Sequence, residues 1–196
     1  ICMPHPFRYF ATITLALLLT TSPAAVSRQT SSPRWVTAWA TSQQGLVREA
    51  ETEETVRLIA RVSAAGESVR LSLDDGYGIN ALHIGTASVG QRMRGGSLVP
   101  GTHRGLRFDG ERSVTIPPGG SVQSDPVALG VLARQDLAVS LHLPGTSVSP
   151  SVHRGALTTS FASADGAGDV TGDDAPTAFT KTMTSMWWLK SIDVLT

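Results

Sequence analysis

The sequence predicts an all-β fold, an antiparallel β-sandwich of jelly-roll-like type, on three observations. Short runs of alternating apolar and polar residues recur along the chain, and 19 Gly and 11 Pro punctuate them. Only 16% of the residues are charged, while Val, Thr and Ser are prominent and long runs of helix formers are scarce. No repeat of fixed period is present, which argues against a propeller or a solenoid.

Ordered structure is expected to begin near Trp35, after a polar linker at residues 28–34, so that the sandwich occupies residues 35–196. In the run 55–63, Val56, Leu58, Ala60 and Val62 fall on one face, and Arg57 and Arg61, with Ile59 between them, fall on the other. That is the pattern of a half-buried strand. Residues 68–74 repeat it with Val69, Leu71 and Leu73, and Ala64-Ala-Gly-Glu67 suits a hairpin joining the two. Asp74-Asp-Gly-Tyr-Gly78 reads as a turn, and 82–89 as a strand interrupted near Gly85 by a bulge. Short strands at 106–108 and 113–116 precede Pro117-Pro-Gly-Gly120, which stops the chain sharply, and 122–125 adds another. Residues 136–143 alternate cleanly, with Leu137, Val139, Leu141 and Leu143 inward, until Pro144-Gly145 ends the run. Residues 152–161 read as a strand broken at Gly155. Residues 162–176, rich in Gly, Ala and Asp, read as a mobile loop, and 180–189 and 192–195 as the last strands.

The N-terminal segment reads as an export signal over residues 1–27 with a helical apolar centre. Arg8 supplies the positive flank, the run from Phe10 to Leu19 the apolar stretch, and Ala25 and Ser27 the small residues that place cleavage after Ser27. The apolar stretch is about half the roughly 20 residues that a helix needs to cross a bilayer, so a secreted product without a stable membrane span is expected. Cys2 is the only cysteine and lies in the leader, which leaves the mature domain without a thiol or a disulfide. Sixteen basic residues balance sixteen acidic ones, so there is no global field to gather phosphate backbones, and no nucleic acid is expected as a partner.

Chemistry-bearing residues form no recognisable constellation. No Gly-x-Ser-x-Gly pentapeptide occurs. His83, His103, His142 and His153 belong to no His-x-x-x-His pair and read as surface or edge residues. Asp74, Asp75 and Asp109, or Asp165, Asp169, Asp173 and Asp174, carry the oxygens a Ca²⁺ site needs, but the spacing is not that of an EF-hand, and solvated loop acids are the better account. Trp35, Trp39, Trp187 and Trp188, with Tyr77, have the surface for sugar stacking, although aromatics in a small sandwich more often fill the core. Trp187 and Trp188 are adjacent, so in a regular strand they point to opposite faces and one becomes an exposed or interface aromatic. No catalytic residue, cofactor or metal is expected in this chain.

Several stretches resemble the β-sandwich that precedes the catalytic domain in secreted bacterial SGNH (GDSL-type) hydrolases. They are Trp35-Val-Thr-Ala-Trp-Ala-Thr-Ser42, Val56-Arg-Leu-Ile-Ala-Arg-Val-Ser63, Gly101-Thr-His-Arg-Gly-Leu-Arg-Phe-Asp-Gly110, Val114-Thr-Ile-Pro-Pro-Gly119, Ser124-Asp-Pro-Val-Ala-Leu129, Asp136-Leu-Ala-Val-Ser-Leu141 and Ser191-Ile-Asp-Val194. The resemblance covers about residues 35–196. It implies a parent esterase or lipase that hydrolyses carboxylic esters through a Ser-His-Asp arrangement with Gly and Asn oxyanion donors. None of those residues carries over, because the family's Gly-Asp-Ser block comes after the point equivalent to Thr196. The nearest approach, Gly172-Asp173-Asp174, has a carboxylate where the nucleophilic hydroxyl belongs.

The expectation is therefore a non-catalytic leading domain, truncated before its hydrolase domain and inactive alone. Its partner is that downstream domain, docked through an apolar patch built from Met183, Met186, Trp187 or Trp188, and Leu195. The alternative is an independent secreted β-sandwich binding module, for carbohydrate.

Overall fold

The alternating runs become sixteen strands and no helix in the computed structural model, which describes residues 1–2, 32–47, 53–145 and 147–196. The expected export signal, apart from Ile1 and Cys2, lies outside the described residues, as do residues 28–31 of the linker. No helix of the described residues is long and apolar enough to cross a membrane.

The strands of the unit Pro33–Thr196 are, in order, β1 (Trp35–Ala40), β2 (Gly45–Leu46), β3 (Glu54–Arg61), β4 (Gly66–Asp74), β5 (Leu82–Ile84), β6 (Thr86–Gln91), β7 (Arg104–Gly105) and β8 (Val114–Ile116). They continue with β9 (Ser121–Gln123), β10 (Val127–Val131), β11 (Asp136–Leu143), β12 (Ser151–His153), β13 (Ser160–Ala162), β14 (Lys181–Met183), β15 (Met186–Trp187) and β16 (Leu189–Leu195). All the pairings are antiparallel. One sheet runs β1-β16-β4-β10, with β9 also on β4, and the other runs β14-β13-β3-β11-β6-β7. Two small sheets, β15-β12-β2 and β5-β8, complete an antiparallel β-sandwich.

Period-two alternation explains the core between the two large sheets. In the six-stranded sheet Val139 lies across from Leu58 on one side and Val89 on the other, and Leu141 lies across from Val56 and Ala87. Facing them, Val69, Leu71 and Leu73 of β4 pair with β16, which contributes Ile192 and Val194. All these side chains belong to one buried cluster.

Two local expectations change. The run 64–67 does not close a hairpin: β3 and β4 lie in different sheets, and the chain arches from one to the other. The arch is held by Val62 N–H on Gln135 O and Ser63 N–H on Ala38 O. Consecutive strands of a sandwich aim their apolar residues at one shared core whether they pair or arch, so alternation alone cannot distinguish the two. Gly66 is needed at the far end of the arch, since a Cβ there would lie 2.2 Å from Leu195 O. Gly85 likewise marks a change of partner rather than a bulge, because β5 pairs with β8 while β6 pairs with β11.

The segment after β13 is not a free loop. It lies along the outer face of the six-stranded sheet as a strap, with Ser163, Thr171 and Phe179 buried. Ser163 Oγ accepts from Thr55 N, Thr55 Oγ1 donates to Gly168 O, and Ser88 Oγ donates to Thr171 O. Gly166 and Gly168 serve the turns of this segment, with φ of 75° and 71° that glycine adopts without strain. Beneath it β3 is buried on both faces from Glu54 to Ala60, so the half-buried strand expected from the sequence is fully covered along most of its length.

Candidate functional site

The most elaborated polar cluster among the described residues lies where β4 ends. The backbone of Asp75 is fixed first: its N–H donates to Gly120 O, and its carbonyl accepts from Gly78 N and Gly119 N. This folds the carboxylate back against Gly78, where a Cβ would lie 1.9 Å from Asp75 Oδ2, so only Gly fits. Asp75 Oδ1 then accepts from Ser151 Oγ at 2.8 Å and from Trp188 Nε1 at 3.2 Å, and Ser151 Oγ accepts from Tyr77 N.

Trp188 reaches this position because its φ of 54° breaks the strand between β15 and β16. Both tryptophans are consequently buried, Trp187 at 7% and Trp188 at 0% exposure, with their rings edge to face at 6.0 Å. The exposed aromatic expected from strict alternation is absent for this reason. Burial pushes the Asp75 carboxyl above the usual carboxylate range, against the pull of its bonds from Ser151 and Trp188.

Above the cluster is a cavity of about 20 Å³, room for about one water, walled by Leu82, Val148 and Trp188. Tyr77 and Ile79 stand exposed in the same loop. Asp75 and Ser151 are thus a buried acid–hydroxyl pair with an indole N–H as the third member. In a Ser-His-Asp triad an imidazole stands between the serine and the carboxylate. The nearest histidine in sequence, His153, instead directs Nδ1 to Ser42 O at 2.9 Å. The arrangement ties three chain segments together, with an indole N–H as the second donor to the carboxylate.

The other residues singled out from the sequence fall as follows. Met186, like both tryptophans, lies in the core, while Met183 and Leu195 are half-buried. Those five residues form no exposed apolar patch in this chain. His83 Nδ1 is 3.0 Å from Thr115 Oγ1 at the surface. His142, expected outside, is half-buried, and the Nε2 atoms of His103 and His142 are buried without a hydrogen-bond partner. Asp169 sits under opposing influences: burial raises its pKa, but hydrogen bonds from Thr171 and Thr86 outweigh this and leave it below the usual value. In the Gly172-Asp173-Asp174 stretch the Asp173 carbonyl accepts from Arg57 and the Asp174 carbonyl from Leu98 N, so it caps the sheet. Among the described residues no group of three or more His, Cys, Asp or Glu could hold a metal ion. Trp35 is half-buried under the Arg70 guanidinium, 4.5 Å from its ring centre.

Sequence reasoning missed Asp75, Ser151 and Trp188 as a unit, since they come from three distant stretches. The one local signal was Asp75-Gly-Tyr-Gly78, a turn that carries an acid between two tightly packed strands. No family model matches this chain, and no curated protein matches it.

Proposed function

We propose that this chain is the non-catalytic leading β-sandwich of a secreted SGNH-type ester hydrolase, whose carboxylic-ester chemistry resides in a following domain. The observation that carries the reading is positional: the stretches that resemble that family fall, in order, on strands and turns of a single sandwich from its first strand to its last. Trp35–Ala40 is β1, Asp136–Leu143 is β11 and Leu189–Leu195 is β16, with Trp35 paired to Leu195. Chain entry and exit therefore lie side by side, Arg34 and Thr196 exchanging two backbone hydrogen bonds. Termini held together at the edge of the sheet let a neighbouring domain be joined there without disturbing the core. The Asp75–Ser151 pair, lacking an imidazole, agrees with a supporting rather than a catalytic role.

The genomic reading frame beyond the Thr196 codon tests the proposal. Gly-Asp-Ser followed by an aliphatic residue is expected in frame shortly after it, and a stop codon at that point in the source genome overturns the reading. The purified chain should also leave p-nitrophenyl acetate untouched. Hydrolysis above an albumin control, abolished by Ser151→Ala, would show machinery that this proposal denies.

A further inference from the structure

An independent feature lies at the far edge of the six-stranded sheet, where β7 pairs with β6 alone. A cleft of about 270 Å³ opens there, lined by Thr86, His103, Gly105, Leu106, Arg107 and Arg112. Its floor is open because Gly105 carries no side chain: a Cβ placed there meets nothing within 4 Å. Nothing else fills the gap. Ser88, its partner across the ladder, bonds to the strap at Thr171 O instead.

The lining is basic. Arg107 and Arg112 carry positive charge, and no carboxylate belongs to the lining. Neither Arg107 nor Arg112 has an ion pair among the described residues, whereas Arg61, Arg70 and Arg92 are each matched to an aspartate. Arg107 commits one guanidinium nitrogen, Nη1, to Gly110 O. Asp125 is turned onto the amides of Asp109 and Gly110 at 3.2 and 2.8 Å, and the turn's own acids, Asp109 and Glu111, form no ion pair with either arginine among the described residues. His103, at the cleft wall, buries Nε2 without a partner.

We propose that this cleft binds the oxyanion of a small ligand, the carboxylate of a sugar acid or the phosphate of a sugar phosphate. Guanidinium groups present planar forks of N–H donors that match carboxylate and phosphate oxygens two at a time, and two arginines line this cleft. The Thr86 hydroxyl directs its hydrogen at Asp169 and keeps lone-pair capacity to accept from a sugar hydroxyl. The volume is near the lower end for ligand pockets, which suits one monosaccharide unit. With a net charge of zero over the whole chain, attraction is local to the cleft rather than a property of the surface at large. Exposed charge pairs are individually weak, so dissociation constants in the millimolar range are expected.

Titration of the ¹⁵N-labelled chain with D-glucuronate, glucose 6-phosphate and neutral glucose tests this. Glucuronate or the phosphate ester should shift the amides of Gly105, Leu106, Arg107 and Arg112 saturably, and glucose should not. The tighter of the two anions identifies the source of the oxyanion. The double variant Arg107→Gln with Arg112→Gln should weaken binding by about fivefold or more. Gly105→Leu should do the same by filling the floor, while its thermal midpoint stays at the wild-type value, because the new side chain enters open space. Equal response to glucose, absence of saturable shifts up to about 20 mM anion, or binding unaffected by both variants would each overturn the proposal.

Discussion

Arg57 and Arg61 project from the same face of the same strand and meet opposite fates. Arg57 is fully buried, with Nε donating to Ser140 Oγ, Nη1 to Gly96 O and Nη2 to Asp173 O, and with its guanidinium 4.0 Å from the centre of the Phe179 ring. Arg61 keeps 65% of its side chain in solvent and pairs with Asp136, directly opposite on β11, at 2.6 Å. The strand itself does not make the difference. The strap from β13 to β14 passes over Arg57 and leaves Arg61 uncovered. A period of two therefore decides which face a residue occupies, while distant parts of the chain decide whether that face is dry.

The inner face of β3 sets the scale against which the strap region is measured. Leu58→Ala removes a fully buried side chain between Val139 and the opposite sheet, and should cost about 4 kcal/mol in urea unfolding, lost globally. Arg57→Ala should cost about 3 kcal/mol, because the Ser140, Gly96 and Asp173 groups lose their buried donor. Its signature is different. The strap is attached mainly by polar contacts, and the apolar cluster on this face is small: Ile59, Leu98 and Ala138 with Phe161. Hydrogen exchange in Arg57→Ala should thus accelerate at the Val170, Thr171 and Asp173 amides while the β11 amides stay protected. Uniform acceleration across both faces would mean that strap and core unfold as one unit, and the contrast between the faces would fail.

Burial also explains the low pKa of Arg57, about 10: desolvation lowers it, and the nearby charges of Asp173 and Asp174 oppose the fall. A guanidinium at that value is still charged at neutral pH. The cost of keeping it so is met by three carbonyl or hydroxyl acceptors and a ring face rather than by a direct ion pair.

How far this was legible in the sequence follows from the same physics. Strand runs with strict alternation were readable: the expected run 136–143 coincides with β11, and 55–63 and 68–74 fall on β3 and β4 within a residue or two. Pairing was not readable, since an arch and a hairpin impose the same pattern on 64–67. The strap was missed because its anchors are main-chain groups of Gly168, Thr171 and Asp173, and main-chain acceptors leave no mark in side-chain composition. The Trp187–Trp188 step was misjudged for a related reason, as one left-handed residue cancels the alternation that separates neighbours. Asp75 was read as a solvated acid because its donors come from Ser151 and Trp188, far along the chain.

Asp75 and Asp136 carry the comparison from cations to anions and should oppose each other in pH dependence. Hydrogen bonds and charge from Arg61, and then Arg92, hold Asp136 below the usual range despite partial burial, so its stabilisation is present above the unfolded pKa and fades as pH falls through the folded one. Asp75 is raised by burial, so its contribution is present below the unfolded carboxylate pKa and is lost as pH rises through its folded value. Asp75→Asn keeps an oxygen for Ser151 and Trp188 and removes the charge. It should therefore raise the denaturation midpoint at pH 7, by less than Arg57→Ala lowers it, and leave stability unchanged at pH 3. A loss of stability at pH 7 in Asp75→Asn would show that the ionised carboxylate is favoured where it lies.

Arg61→Ala should have the smallest effect of all, and the reason sharpens the contrast with Arg57. Arg61→Ala removes a side chain that is mostly in water, and water can solvate the Asp136 oxygen it leaves. Asp136 is not orphaned by the change, because Arg92 Nη1 remains 3.0 Å from its other oxygen. No buried group loses a donor, and no cavity forms. The urea midpoint at moderate salt should consequently fall only slightly, through the lost share of Asp136 stabilisation, and the strap amides should exchange unchanged. Arg61→Ala should already let Asp136 titrate nearer its ordinary value, and adding Arg92→Ala should carry it further, which nuclear magnetic resonance of its carboxyl carbon can follow. If Arg61→Ala alone destabilised as much as Arg57→Ala, coverage by the strap could not be what separates the two arginines.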